Sequence, residues 1–196
     1  MIGARLRAED EVDALATAAP EAVLRFWFDE IDPAQWWSKN TAFDRSIRER
    51  FGRLHEQAAR CELFPWRATA GGRLAEVIVL DQFSRNIFRD APGAFAQDPL
   101  ALALAQEAVA VAADRELPSA HRTFFYMPFI HSESLAIHDA ALPLFRSLGV
   151  ERMLDFARRH RVIIERFGRY PHRNAILGRP STDDEVEFLK GPDSGF

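Results

Sequence analysis

The chain has 196 residues, 47% of them hydrophobic and 28% charged, with a net charge of −4. Such a composition belongs to a globular protein with enough chain to bury about 70% of its unfolded surface, and its negative balance argues against a general nucleic-acid binder. The lone cysteine, Cys61, rules out an intramolecular disulfide and a multi-cysteine zinc site.

No apolar run reaches the length of a membrane span, and the start, MIGARLRAEDEVD, lacks a signal-peptide apolar region. A cytoplasmic protein without a membrane partner is therefore expected. Arginine outnumbers lysine 23 to 2, and the planar guanidinium is the better group for a bidentate grip on carboxylate or phosphate.

Taken in order, residues 4 to 18 are expected to form a weak first helix. PEAVLRFWFDE, with Pro20 at its first position, predicts a short apolar helix. Asp32-Pro33 signals a turn of helix carrying Trp36 and Trp37. Asn40 or Thr41 then caps a long helix to about Cys61, with Phe43, Ile47, Phe51, Leu54 and Ala58 as its apolar stripe. Cys61 is expected as a partly buried spacer on that helix, and FPWRATAGG reads as a loop.

Leu74 to about Ile87 is the next predicted helix; its VIVL could pass for a strand, but a length above twelve residues favours helix. RDAPGAFAQ is a loop. Asp98-Pro99 opens the Ala-rich helix PLALALAQEAVAVAADRE, and Pro118-Ser119 opens another that Pro128 is expected to break or kink. Helix resumes in HSESLAIHDAALPLFRSLG, disturbed by Pro143 and stopped by Gly149. From Glu151, Met153, Phe156, His160, Ile163 (or Ile164) and Phe167 recur at helical spacing, until Gly168 and Pro171 end the run. Thr182 and Glu185 have capping-box spacing, which predicts a last helix from about Asp183 to Leu189.

These elements make an all-α chain, a single domain over residues 1–196 with about eight helices packed as antiparallel hairpins. No tetratricopeptide consensus (W-x2-L-G-x2-Y) appears.

Three polar constellations interrupt the apolar pattern. In Asp81-Gln82-Phe83-Ser84-Arg85-Asn86, Asp81 and Arg85 stand four apart in the favourable acid-first order, as do Gln82 and Asn86. Arg85 either grips a ligand acid while Asp81 orients it, or the two form an ion pair between helices. In FFYMPFIHSESLAIH, Ser132 could cap the resumed helix with Glu133 in its first turn, an account that leaves His131 unexplained. The third is HRVIIERFGRYPHRNAILGRPST: between Arg158 and Arg179 lie seven arginines and a single acid, Glu165. Arg169, His172, Arg173 and Asn174 there fall on a helix exit loop, a common place for binding groups.

His160 sits in an apolar stripe and reads as a core histidine as readily as a ligand group. Trp36 and Trp37, with Phe26-Trp27-Phe28, could supply aromatic walls or simply core. A metal site would need ligands such as His131, Glu133, His160 and His172 to converge, and no HExxH or comparably tight spacing exists, so neither metal nor cofactor is expected.

VLDQFSRNIFR, FFYMPFIHSES and HRVIIERFGRYPHRNAILGRPST, in fixed order, resemble the bacterial domain-of-unknown-function 924 family. The likeness extends from VLRFWF through the WW and AFD-x-x-IRERFG segments to the end. It implies a tetratricopeptide-like α/α superhelix and no established activity. Two positions depart: the family commonly reads DQF-Pro-RN where this chain has Ser84, and it tends to carry Gln near His138, so a histidine there would change the proton chemistry of any pocket containing it.

The functional expectation is a small anionic ligand, carboxylate or phosphate, in a pocket between helices. Asp81, Arg85, Asn86, His160, Arg169, Arg173 and Asn174 are the candidate binding residues. His131 and His172 are the acid–base candidates, with Glu133 orienting or tuning the histidine. The rivals are a scaffold that binds an acidic peptide or protein partner in a concave groove, and a network that only locks helices in register. An enclosed pocket favours the first and an open concave face the second.

Overall fold

The structure, a computed structural model, describes residues 20–192 and 194. The helix expected over residues 4 to 18 lies outside the described residues. Among those described there are eight helices and no strand.

Helix α1 covers 20–30, its last turn, Phe26–Glu30, wound as a π-helix. A 3-10 turn, Pro33–Trp37, follows under an Asp32–Gln35 capping box. Helix α2, Thr41–Ala59, begins where Asn40 Oδ1 accepts the Ala42 and Phe43 amides, both at 3.0 Å. Its expected stripe is buried except for Leu54, which is partly so. Cys61, expected as a buried spacer on α2, is instead exposed beyond its end. It takes φ 59°, the left-handed conformation that turns the chain out of a helix.

Helix α3 begins at Ala70, within the stretch expected as loop. It runs as Ala70–Ile78, a π turn over Val79–Phe83, and Ser84–Ile87. The glycines there do not break it. Thr69 Oγ1 caps it by accepting the Gly72 amide at 3.0 Å. Gly72 allows the 3-10 turn Phe64–Ala68 to lie against the helix, since a Cβ there would stand 2.0 Å from the Trp66 carbonyl oxygen.

Helix α4, Asp98–Ala110, is shorter than expected: Ala112 turns left-handed at φ 60° and Ala113–Glu116 continues as 3-10. Helix α5, Ser119–His131, passes through Pro128 instead of breaking there. Every residue from Thr123 to His131 is buried, and packing on that scale outweighs the roughly 3 kcal/mol an interior proline costs. Helix α6, Leu135–Ser147, likewise contains Pro143. Its N-cap is Ser134, not Ser132, and makes no side-chain cap bond. Helix α7, Glu151–Phe167, stops at Gly168, φ 67°, whose amide donates to the Ile164 carbonyl at 2.8 Å. Helix α8, Asp183–Leu189, carries the Thr182–Glu185 capping box.

Successive helices from α2 to α7 pack against each other, and α5 also touches α3 and α7. Helix α3 is central: every residue from Leu74 to Ser84 is buried. Val77, Leu80 and Phe83 of α3 join Trp27, Ile47, Phe124 and Phe145 in one core. Because α3 is enclosed on all sides, its polar residues must find partners inside the protein or open onto a cavity. None of the described helices is long and apolar enough to cross a membrane.

Gly72→Ala forces its methyl into a backbone oxygen, which no rotamer change relieves. It should cost about 2–3 kcal/mol in urea unfolding, whereas Gly52→Ala, with nothing near its Cβ position, should be neutral or stabilising.

Candidate functional site

A cavity of about 350 Å³ opens between the turn before α2, the C-terminal half of α3 with the loop that follows it, the end of α5, the middle of α7, and the stretch after α7. Its apolar wall includes Trp36, Trp37, Phe95, Met127 and Phe156, and its polar wall Arg85, Asn86, His131, His160, His172 and Arg173.

Behind that wall lies Asp81, 1% exposed. Its carboxylate meets His131 Nδ1 at 2.7 Å, Gln82 Nε2 at 2.6 Å and Arg85 Nη1 at 3.2 Å. Burial opposes the charge, but Arg85, then His131 and Gln82, outweigh it and hold the carboxyl at about 2. The π turn shapes this arrangement. Arg85 Nη1 also donates to the Asp81 carbonyl at 2.8 Å, and Ser84 Oγ to the Leu80 carbonyl at 2.6 Å, so two carbonyls of the widened turn receive side-chain donors. Ser84, where the resemblance has proline, also meets His55 Nε2 at 2.7 Å.

Arg85 continues to Asp98 at the start of α4 through paired bonds of 2.9 and 3.1 Å. The same carboxylate receives Arg173 Nη1 at 3.2 Å. Arg173 is 6% exposed, and its guanidinium lies between two rings, 4.5 Å from the Phe95 centroid and 4.7 Å from that of Tyr170. Tyr170 is fixed by donating its hydroxyl to the Ile130 carbonyl. Among the described residues Arg173 Nε has no hydrogen-bond partner, and burial, then the nearby charge of Arg85, press its pKa below the ordinary value.

The other expected residues divide. His160 Nδ1 donates to the Phe156 carbonyl at 2.8 Å, so it is both buried and part of the wall. Asn86 lines the cavity while donating to Asp44 at 2.9 Å, an acid that also holds Arg89. His172 lines it too, its pKa lowered to about 4 chiefly by burial and then by Arg173.

Glu133, Arg169 and Asn174 are not brought to the cavity. The carboxylate that orients His131 is Asp81, fifty positions away, and not Glu133, which lies past the end of α5 and faces the exit stretch. There Glu133 takes Arg179 at 2.6 and 2.9 Å and the Tyr170 amide at 2.8 Å. Arg169 pairs with Glu185 of α8 at 2.6 and 2.8 Å, and Asn174 bonds Ser181 and Arg179. These three fasten the exit stretch. His138 stands behind Tyr170 with Nε2 on the Ser132 carbonyl at 2.9 Å, outside the cavity lining.

Sequence reasoning missed Asp98, Tyr170 and Phe95. Asp98 had a complete account as a helix opener, and the aromatic pair around Arg173 is separated by 75 positions, so no local signal marked either. Among the described residues no group of three His, Cys, Asp or Glu side chains converges as a metal site.

Residues 23–193 match the family described as bacterial protein of unknown function, DUF924. Among solved structures, a protein of unknown function from Agrobacterium tumefaciens is similar, with 41% identity and a TM-score of 0.85 over 89% of this chain and 99% of that one. No curated protein matches the chain.

Removing Arg85 would leave Asp81 and part of Asp98 uncompensated. Arg85→Met should therefore cost about 3–5 kcal/mol in urea unfolding and Arg173→Met distinctly less. Acid should unfold the protein through its histidines. Burial is the foremost cause lowering His131, His138, His160 and His172, so below about pH 6.5 the unfolded chain binds protons that the folded one refuses. Stability present above that value should fall as pH drops through the interval down to about 4, where His172 itself titrates. Asp81 adds a further loss only as pH falls from about 4 towards 2. Denaturant midpoints between pH 7.5 and 4 measure this, and His172→Gln should flatten part of the slope.

Proposed function

The chain belongs to this bacterial family of unknown function, and we propose that its cavity binds a small anionic molecule, a carboxylate or phosphate, with Arg173 as the principal anchor. The observation that carries the reading is the state of Arg173. It is buried and held between Phe95 and Tyr170, it makes a single 3.2 Å bond to a carboxylate that Arg85 already occupies, and its Nε is unpartnered among the described residues. A guanidinium has five donors, and leaving them unmade inside a protein is costly. Arg173 lines the cavity, so an anion there can accept from its guanidinium.

Arg85 takes a different part from the one expected of it. With Asp81 on one side and both oxygens of Asp98 on the other, it sets the wall, while Arg173 offers the free donors. The size of the cavity, near the lower end of ligand sites at about 300–1,000 Å³, suits a metabolite better than a peptide strand. The recess between five chain segments also favours a small molecule over an acidic peptide laid on an open face. The Asp81–His131 pair gives a bound molecule a proton acceptor, so acid–base chemistry on that molecule is the second reading.

The test is a thermal-shift screen of the intact protein against anionic metabolites, with Arg173→Met in parallel. A compound at a hundredfold excess over its dissociation constant should stabilise the wild type by about 2.7 kcal/mol, a rise of several degrees, and leave the variant unmoved. A shift that persists in Arg173→Met, or none from any anion, would remove the assignment.

A further inference from the structure

The hydrogens of the polar wall can be placed from the bonds its atoms already make. Asp81 accepts on both oxygens, Oδ1 from His131 and Oδ2 from Gln82, and Arg85 stands against it. A carboxylate so surrounded is ionised and has no proton to give, so in the 2.7 Å contact His131 Nδ1 is the donor. Burial and then Arg85 lower the imidazole's pKa, so near neutral pH the ring is uncharged and carries its single hydrogen on Nδ1. Its other nitrogen, Nε2, bears a lone pair. The ring lines the cavity while Asp81 lies behind it, which leaves the Nε2 edge towards the space a ligand would fill.

His131 is held in that tautomer. It is the last residue of α5, 9% exposed, with the buried run Thr123–Ile130 fixing its backbone. Turning the ring over would bring a carbon to Asp81 and leave the carboxylate one donor short. A neighbouring carboxylate fixing one imidazole nitrogen and thereby assigning the role of the other is a general device. The cavity wall therefore makes two opposite demands: unfilled donors on Arg173 and an unfilled acceptor on His131. A simple anion answers the first and not the second.

We propose that the molecule bound here carries an O–H or N–H donor beside its acidic group, making it a hydroxy- or amino-substituted organic acid or phosphate, and that His131 Nε2 accepts from that donor. This rests on the reading of the cavity as an anion site and adds a selection rule to it. Specificity of this kind is sharp, because an analogue lacking the donor leaves a desolvated acceptor unpaired.

Matched pairs differing only in the donor test the rule on the wild-type protein by calorimetric titration: 3-phenyllactate against 3-phenylpropionate, glycolate against acetate, and glycerol 3-phosphate against propyl phosphate. In at least one pair the donor-bearing member should bind about tenfold or more tightly. His131→Phe should bring the two members of that pair to equal affinity, and His131→Gln, whose amide can still face Asp81 and offer an oxygen, should restore part of the difference. Equal binding within every pair in the wild type would overturn the donor rule while leaving the anion site standing. No binding by any member would overturn both. Discrimination that survives in His131→Phe would overturn the assignment to His131. Because the discrimination is read first in the wild type, a variant that fails to fold does not remove the test.

Discussion

One buried charge organises this molecule. Asp81 sits in the middle of its most enclosed helix, where an unpaired carboxylate would cost several kcal/mol, and what neutralises it, partly from its own helix and partly from α5, is bound up with the rest of the fold. His131 reaches it from the end of α5, and Arg85 carries the connection to Asp98 at the head of α4 and thence to Arg173 in the exit stretch. Helices α3, α4 and α5 and the exit stretch are thus tied by one polar chain. The fold cannot satisfy Asp81 without also assembling the polar wall, so the same interactions that stabilise the helices set the geometry of the site.

The π turn at Val79–Phe83 gives that arrangement its form. A widened turn in a fully buried helix alters the phase of everything after it, and the cost is met by side chains that donate to its carbonyls, Ser84 to Leu80 and Arg85 to Asp81. Such insertions are frequent at functional sites. Here the reason is local: Arg85 serves a carbonyl on its own helix and a carboxylate on the next one.

Much of the fold was legible in the sequence because its signals are local. Asn40, Gly168 and the Thr182–Glu185 pair mark helix ends by hydrogen bonds within four residues. Where the sequence misled, a distant contact decided. Gly71-Gly72 reads as a break until Trp66 is seen crowding Gly72, and Pro128 reads as a break until the burial around it is seen. The site was half legible for the same reason. Polar residues on apolar helices announced Asp81, Arg85 and His131, and the arginine-rich exit loop announced Arg173, but the pairing of Asp81 with His131 and of Arg173 with Asp98 was not visible. Glu133, two positions from His131, was the natural partner by proximity, and the turn of the chain after α5 gave it to Arg179 instead. Asp98 had a sufficient explanation as the opener of a helix, which concealed what it holds.

The four tryptophans divide between the core and the cavity. Trp27 and Trp66 are sealed in the core at 1% and 5% exposure, whereas Trp36 and Trp37 form part of the cavity wall. Trp36 is anchored through its Nε1–H to the Trp27 carbonyl at 2.9 Å, and Trp37 meets Phe156 edge-on at 5.8 Å. Two indoles therefore report on the protein's interior and two on whatever enters the cavity. The protein has a built-in optical gauge of occupancy, with its own reference, that needs no label.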